Sequence, residues 1–334
     1  MVTVDRNDLS GHLAGALFGL AIGDALGAVT EGMNPASIAD KYGHITGFQS
    51  QKQIGTDDTE FTLFYIELLQ KYGLEISAET IARHWLEDIY HPSEAYKGGG
   101  FSEAMTLHNL KQGLLPPESG QHIHSWSDGL AMCATSFGCV YPGQPAKAAD
   151  LTKVFGSVSH NGEGIYGGIA VAAAVSSAVM NSDWERIIQS ALDFIPKDCW
   201  VYYSIKNAVE IGNSCNSVQS AITPLYEQCV CDYYFWSDLA PEAVGLAFGL
   251  LVAARGNFQE AVLGAVNLGR DADTIAAIAG AISGAKLAYK SIPQKLVLNI
   301  DSVSGQCIRS MAGKKIINAV DVLVDLALKG EHGL

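Results

Sequence analysis

The amino-acid sequence predicts an all-α protein. Apolar residues recur three and four positions apart along most of the chain, which is the spacing of one helix face. Alternating β-branched runs are short, and neither Asn161-Gly162 nor Asp128-Gly129 joins two of them, so no hairpin is expected. The 334 residues are 48% hydrophobic and 17% charged, enough apolar material for a large packed core. No repeat, low-complexity tract or Pro/Ser-rich linker divides the chain, which points to a single domain over 1–334.

The first helix is expected over 10–28, where Leu13, Leu17, Leu20 and Ala21 form one stripe. The second, over 57–72, turns Phe61, Phe64, Tyr65, Leu68 and Leu69 inward, with Thr56 as N-cap and Gly73 as its stop. A third covers 78–90. The region 91–128 reads as loops around one helix at 103–112, because it holds Gly98, Gly99, Gly100 and the pair Pro116-Pro117. Further helices are expected at 162–180, 183–194, 203–211, 218–226, 240–254 and 257–267, then at 274–289, 293–303 and 315–328. The stretch 229–238 is irregular and aromatic, with Tyr233, Tyr234, Phe235 and Trp236. Loops carry binding function more often than scaffolds do, so 91–128 and 229–238 are expected to face a substrate.

The formal charge of −14, with no Lys/Arg-rich run, argues against a nucleic-acid or anionic-membrane partner. The apolar stretch 13–22 follows Asp5, Arg6 and Asp8 and is broken by Asp24, and 164–182 is mostly Gly, Ala, Val and Ser. Both read as buried core helices rather than export signals or membrane spans. The seven scattered cysteines have no zinc or redox spacing and are expected to be reduced thiols of a cytoplasmic protein.

Three acidic patches lie at the edges of apolar helices. Asp57 and Asp58, bracketed by Thr56 and Thr59, offer four oxygen ligands within one turn, the donor type a hard cation needs. Helix capping and the helix dipole account for one of these aspartates, not for both. Asp271 and Asp273 flank one residue ahead of Thr274, and Ala276, Gly280 and Gly284 follow as a small-residue stripe that lets another backbone come close. Asp24 and Glu31 form the third patch. Asp24 stands in an apolar surface and needs either a metal or a hydrogen bond that organises a ligand loop.

Together these segments read Gly-Asp-Ala-Leu-Gly from Gly23 with a later Glu31, then Thr-Asp-Asp-Thr from Thr56, then Asp-Ala-Asp-Thr-Ile-Ala-Ala-Ile-Ala-Gly-Ala from Asp271. The pattern resembles the ADP-ribosylglycohydrolase family, which includes the dinitrogenase-reductase-activating glycohydrolases. Ser159 to Glu163, with Tyr166 and Gly167, is similar to a fourth family segment, and the matches spread from Gly15 to Gly284.

The resemblance implies an orthogonal helical bundle and two divalent cations, Mg²⁺ or Mn²⁺, sharing a carboxylate. It assigns Thr56, Asp57 and Asp58 to the first ion and Asp271 and Thr274 to the second, with Asp273 bridging and Glu31 completing the set. Family members hydrolyse the bond from the anomeric carbon of ribose to nitrogen or oxygen, on a protein side chain or a small molecule. Paired cations suit that reaction, since they grip vicinal hydroxyls and acidify water, while Glu31 or Asp57 takes the proton. Substrate contacts are expected from Asp24, Gly98, Gly99, Gly100, Ser127, Asp128, Gly129 and Arg270. His160 is assigned either to the substrate or to a structural role.

One family loop, Ser-x-Asn-Gly-Ala-x-Met-Arg, departs here: Asp128 replaces the asparagine and Cys133 the arginine. Both changes remove complementarity to a diphosphate. The expected activity is a metal-dependent glycoside hydrolase acting on an ADP-ribose-like or other ribosyl small molecule, or on an ADP-ribosylated protein. A hydrolase of nucleoside-like ribosyl metabolites and a non-catalytic binding or structural member of the same fold remain open.

Overall fold

The computed structural model describes residues 5–50, 54–90, 99–297 and 300–331. Its helices, in chain order, are α1 (Arg6–Gly27), α2 (Pro35–Tyr42), α3 (Asp57–Tyr72), α4 (Ala78–His84), α5 (Phe101–Lys111), α6 (Thr135–Val140), α7 (Pro145–Ser159), α8 (Glu163–Val179), α9 (Trp184–Asp193), α10 (Trp200–Ser214), α11 (Val218–Cys229), α12 (Ala240–Ala253), α13 (Phe258–Leu268), α14 (Ala272–Leu287), α15 (Gln294–Val297) and α16 (Ile316–Glu331). No strand occurs among the described residues, only isolated bridges between Ser127 and Leu239 and between Ser302 and Lys315. The all-α expectation holds.

Some boundaries differ from those expected. The third helix leaves α geometry after His84 and continues as a π turn, Trp85–Ile89, which carries Trp85 into the core. The long helix expected at 293–303 is the single turn α15, and from Ile300 until α16 the chain holds only a short 3-10 turn, Arg309–Met311. Three helices were not expected. α2 and α7 each start with proline in the first turn, and α6 is six residues long.

The centre of the molecule is the packing of α1 on α14. Gly15, Gly19, Gly23 and Gly27 recur every fourth residue on α1 and meet Gly284, Gly280, Ala276 and Ala272 on α14. A Cβ on any of these glycines would overlap the opposing backbone. The small-residue stripe on α14 therefore has a matching stripe on α1, and main chain lies against main chain. α1 is the one described helix long and apolar enough to cross a membrane, yet its apolar stretch is 89% buried among other helices. That is how a core helix behaves.

The turn from α13 into α14 is tight. Gly269 and Arg270 both take left-handed conformations, with φ of 82° and 61°. Gly269 leaves no room for a side chain, because a Cβ there would strike the Met33 carbonyl. The Arg270 amide donates to the Met33 carbonyl and the Gly32 amide to the Arg270 carbonyl, both at 2.8 Å. This exchange pins the loop after α1 to the start of α14 and brings Glu31 beside Asp271.

Candidate metal centre and active site

The seam between α1 and α14 delivers two carboxylates to one place, Asp24 from α1 and Asp273 from the first turn of α14. α3 supplies a third, Asp58. All three are buried, and their carboxylate oxygens lie within 4.8 Å of one another. Asp24 is the organiser of this group. The Thr56 amide donates to both of its oxygens at 2.8 Å, the Thr56 hydroxyl to Oδ1 at 2.8 Å and the Thr59 amide to Oδ2 at 3.1 Å, and the Thr59 hydroxyl also donates to Oδ2. Thr56 stands at the N-cap position of α3, but its hydroxyl serves Asp24 rather than its own helix. Fully buried and saturated with donors, Asp24 sits behind the Thr56–Thr59 turn and does not line the adjoining cavity.

That cavity encloses about 640 Å³ and is walled by eight carboxylates: Glu31, Asp57, Asp58, Glu103, Asp128, Asp238, Asp271 and Asp273. Thr56, Gly99, Gly100, Ser127, Gly129, Arg270 and Thr274 also line it. The expected site residues therefore converge, with three exceptions. Asp24 lies behind the wall. Gly98 falls outside the described residues. His160 does not reach the cavity: its Nε2 is 3.1 Å from the Ser127 hydroxyl and its Nδ1 2.7 Å from that of Ser159. Burial lowers its pKa to about 3, so it is a neutral prop behind Ser127 at pH 7.

The electrostatics of the cavity are dominated by desolvation and repulsion. Burial, then Glu103 and Asp24, hold Asp57 well above the ordinary carboxylate range. Burial raises Asp58 likewise, followed by Asp24 and Asp273, and raises Asp273, followed by Asp271. Asp271 and Asp128 are pushed the same way by burial, then by Asp128 and Asp238 respectively. Desolvation, then Asp238, raises Glu31. Asp24 is pushed up to about 6 by burial, although its four donors pull it down. So many close carboxylates cannot all be ionised without positive charge among them.

The oxygens confirm the imbalance. Asp58 Oδ1, Asp128 Oδ2, Asp238 Oδ1 and Asp273 Oδ1 are buried with no hydrogen-bond partner, and leaving such atoms unpaired is costly. Hard oxygen donors on three adjoining elements fit a hard divalent cation. Thr274 donates to Asp58, and Thr56 donates to Asp24; each threonine oxygen keeps lone pairs for a cation.

Several functional residues escaped sequence reasoning. Glu103 and Asp238 complete the acidic wall, and Phe101 joins Phe235 and Trp236 of the expected aromatic stretch on its aromatic side. Glu103 reads as one of several polar residues in a short helix, and nothing local marks it as 2% exposed. Arg270 lines the cavity, but its guanidinium is held by Glu242, with Nε to Oε1 at 2.6 Å and Nη2 to Oε2 at 3.2 Å, and it also donates to the Trp236 carbonyl. It clamps the aromatic loop. The two expected substrate loops are joined: the Asp128 amide donates to the Asp238 carbonyl and the Ala240 amide to the Trp126 carbonyl, both at 3.0 Å.

Comparison with known proteins bears on this arrangement. A family model described as ADP-ribosylglycohydrolase matches residues 5–326. An uncharacterized protein of Archaeoglobus fulgidus is 30% identical over 281 residues, covering 81% of this chain and 86% of its own. The uncharacterized protein YegU of Escherichia coli K12 is 24% identical over 320 residues, covering 88% and 92%. Among solved structures, one described as an ADP-ribosylglycohydrolase-related protein complex superposes with a TM-score of 0.66 at 19% identity, covering 96% of this chain and 99% of that one.

Proposed function

The chain belongs to the ADP-ribosylglycohydrolase family, and from that premise we propose that it is a hydrolase using two divalent cations, Mg²⁺ or Mn²⁺, to cleave the anomeric bond of a ribosyl substrate. Family membership supports the glycohydrolase activity. The observation that carries the metal reading is the pair of buried, partnerless oxygens, Asp58 Oδ1 and Asp273 Oδ1, within a three-carboxylate cluster. Thr56, Asp57 and Asp58 would hold one ion and Asp271 and Thr274 the other, with Asp273 and Glu31 completing the set. When bound, the ions supply Lewis acidity and orient vicinal hydroxyls.

The chain's own groups do the rest. Asp57 and Glu31 line the same cavity, and either carboxylate accepts the proton of a water that attacks the anomeric carbon. Asp24 holds the Thr56–Thr59 turn in place, and the fused loops 125–129 and 236–240 shield the reacting centre from bulk water. Calorimetric titration with Mg²⁺ and Mn²⁺, followed by assay on ADP-ribosyl-arginine, O-acetyl-ADP-ribose and simple nucleosides, tests the reading. Failure to bind either ion sinks it.

A further inference from the structure

The part of the cavity around Asp128 differs from the metal cluster. Asp128 is 3% exposed, lines the cavity, and leaves Oδ2 without a partner. Asp238 Oδ1 is equally unpaired, and Glu103 stands close enough to raise Asp128 further. Phe101 and Trp236 line the same space, with ring centroids 5.3 Å apart at 64°. The proposed ions engage five of the eight lining carboxylates, Glu31, Asp57, Asp58, Asp271 and Asp273, and leave Glu103, Asp128 and Asp238 without a cation. Arg270 is the sole lysine or arginine among the described lining residues, and Glu242 already holds it.

We propose that Asp128, Asp238 and Glu103, with the rings of Phe101 and Trp236, form a subsite for a planar, positively charged group on a ribosyl substrate that carries no diphosphate. Unpaired buried carboxylates attract a cation through charge-assisted contacts, and aromatic faces add a cation–π attraction. The same carboxylates repel phosphates. This inference rests on the proposed function, whose ions would hold the ribose, and it names the class of substrate.

Two pyridine ribosides make the test. Nicotinamide riboside carries a cationic ring, whereas nicotinic acid riboside adds a carboxylate that cancels the charge at nearly the same shape. Their binding, and that of ADP-ribose, is measured by calorimetry on the full chain with Mn²⁺ and with EDTA. Nicotinamide riboside is expected to bind at least about tenfold more tightly than the other two, the scale of one charge-assisted contact. Asp128→Asn should erase most of that preference and strengthen ADP-ribose binding; Asp238→Asn is the second variant should the first misfold. Tighter binding of ADP-ribose by the unaltered protein overturns the proposal, as does a preference untouched by both variants. A loss of one Mn²⁺ equivalent in Asp128→Asn also overturns it, because the carboxylate then serves a metal. A protein that takes up Mn²⁺ without charge preference keeps the hydrolase reading and loses the subsite. One that shows the preference yet binds no Mn²⁺ does the reverse.

Discussion

The seam between α1 and α14 and the aromatic loop at 230–239 border the same cavity, but they are built by opposite rules. Along the seam, glycines at every fourth position remove side chains until the backbones touch, and the carboxylates there have almost no freedom. The loop has no regular structure, and Tyr233 and Phe235 stand in solvent at 103% and 88% exposure. A few polar contacts retain it: Arg270 with Glu242, the Cys231 amide on Glu242 at 2.8 Å, and the Ser127–Leu239 bridge. Under the proposed function the chemistry falls to the rigid seam, where placement is tight, and recognition to the irregular loop.

The largest expected effect falls on the seam's chemistry. Asp273→Ala should lower turnover by about a thousandfold or more, since electrostatic stabilisation worth several kcal/mol disappears. In EDTA its melting temperature should equal or exceed that of the unaltered protein, because a repelling charge has gone. Near-normal turnover would refute the assignment.

Next comes the seam's geometry. Gly19→Ala should destabilise by about 2–3 kcal/mol in urea unfolding, as overpacking against the Gly280 carbonyl forces the helices apart. A change below about 0.5 kcal/mol would mean that the backbones are not in contact.

A third, smaller effect couples the seam to pH. Asp24 and its neighbours have raised folded-state values, so their contribution to stability is complete below about pH 4 and is lost as the pH climbs; for Asp24 the loss runs to about pH 6, and for Asp58 and Asp273 it extends higher. The melting temperature in EDTA should therefore decline over that window, and the increment given by Mn²⁺ should be larger at pH 7.5 than at pH 5. An increment that shrinks with pH would contradict the cluster's electrostatics.

The smallest effect belongs to the rim. Phe235→Ala should change stability by less than about 0.5 kcal/mol, as exposed positions do, while raising KM for a substrate with a planar aromatic ring. A large loss of stability there would erase the contrast between the two regions.

Much of the fold was legible in the residues. α3 announces itself through its apolar stripe and Gly73, and α8 and α14 through long Ala/Gly-rich runs between polar borders. α7 was missed, although Ala148, Leu151, Thr152, Phe155 and Val158 keep helical spacing after Pro145. The stop after α15 was not legible, because apolar spacing continues where the backbone does not. In the site, adjacent aspartates beside threonines stand out as local patterns. Glu103 and Asp238 do not, since each becomes part of the acidic wall only when distant segments meet. Arg270 likewise gave no sign that Glu242, twenty-eight positions earlier, would hold it.

Glu60 lies on α3 close behind Asp57 and Asp58, wholly buried, and its carboxylate receives the Ser304 hydroxyl and the amides of Gln306, Cys307 and Ile308 at 2.7–3.1 Å. α3 is thereby tethered to the last fifth of the polypeptide. Trimming the protein back to residue 300 would strip an interior anion of all four donors directly beneath the acidic turn. Shortened versions made for crystallisation or for fusion should keep this tail, even though it contributes little more than Gln306 to the cavity wall.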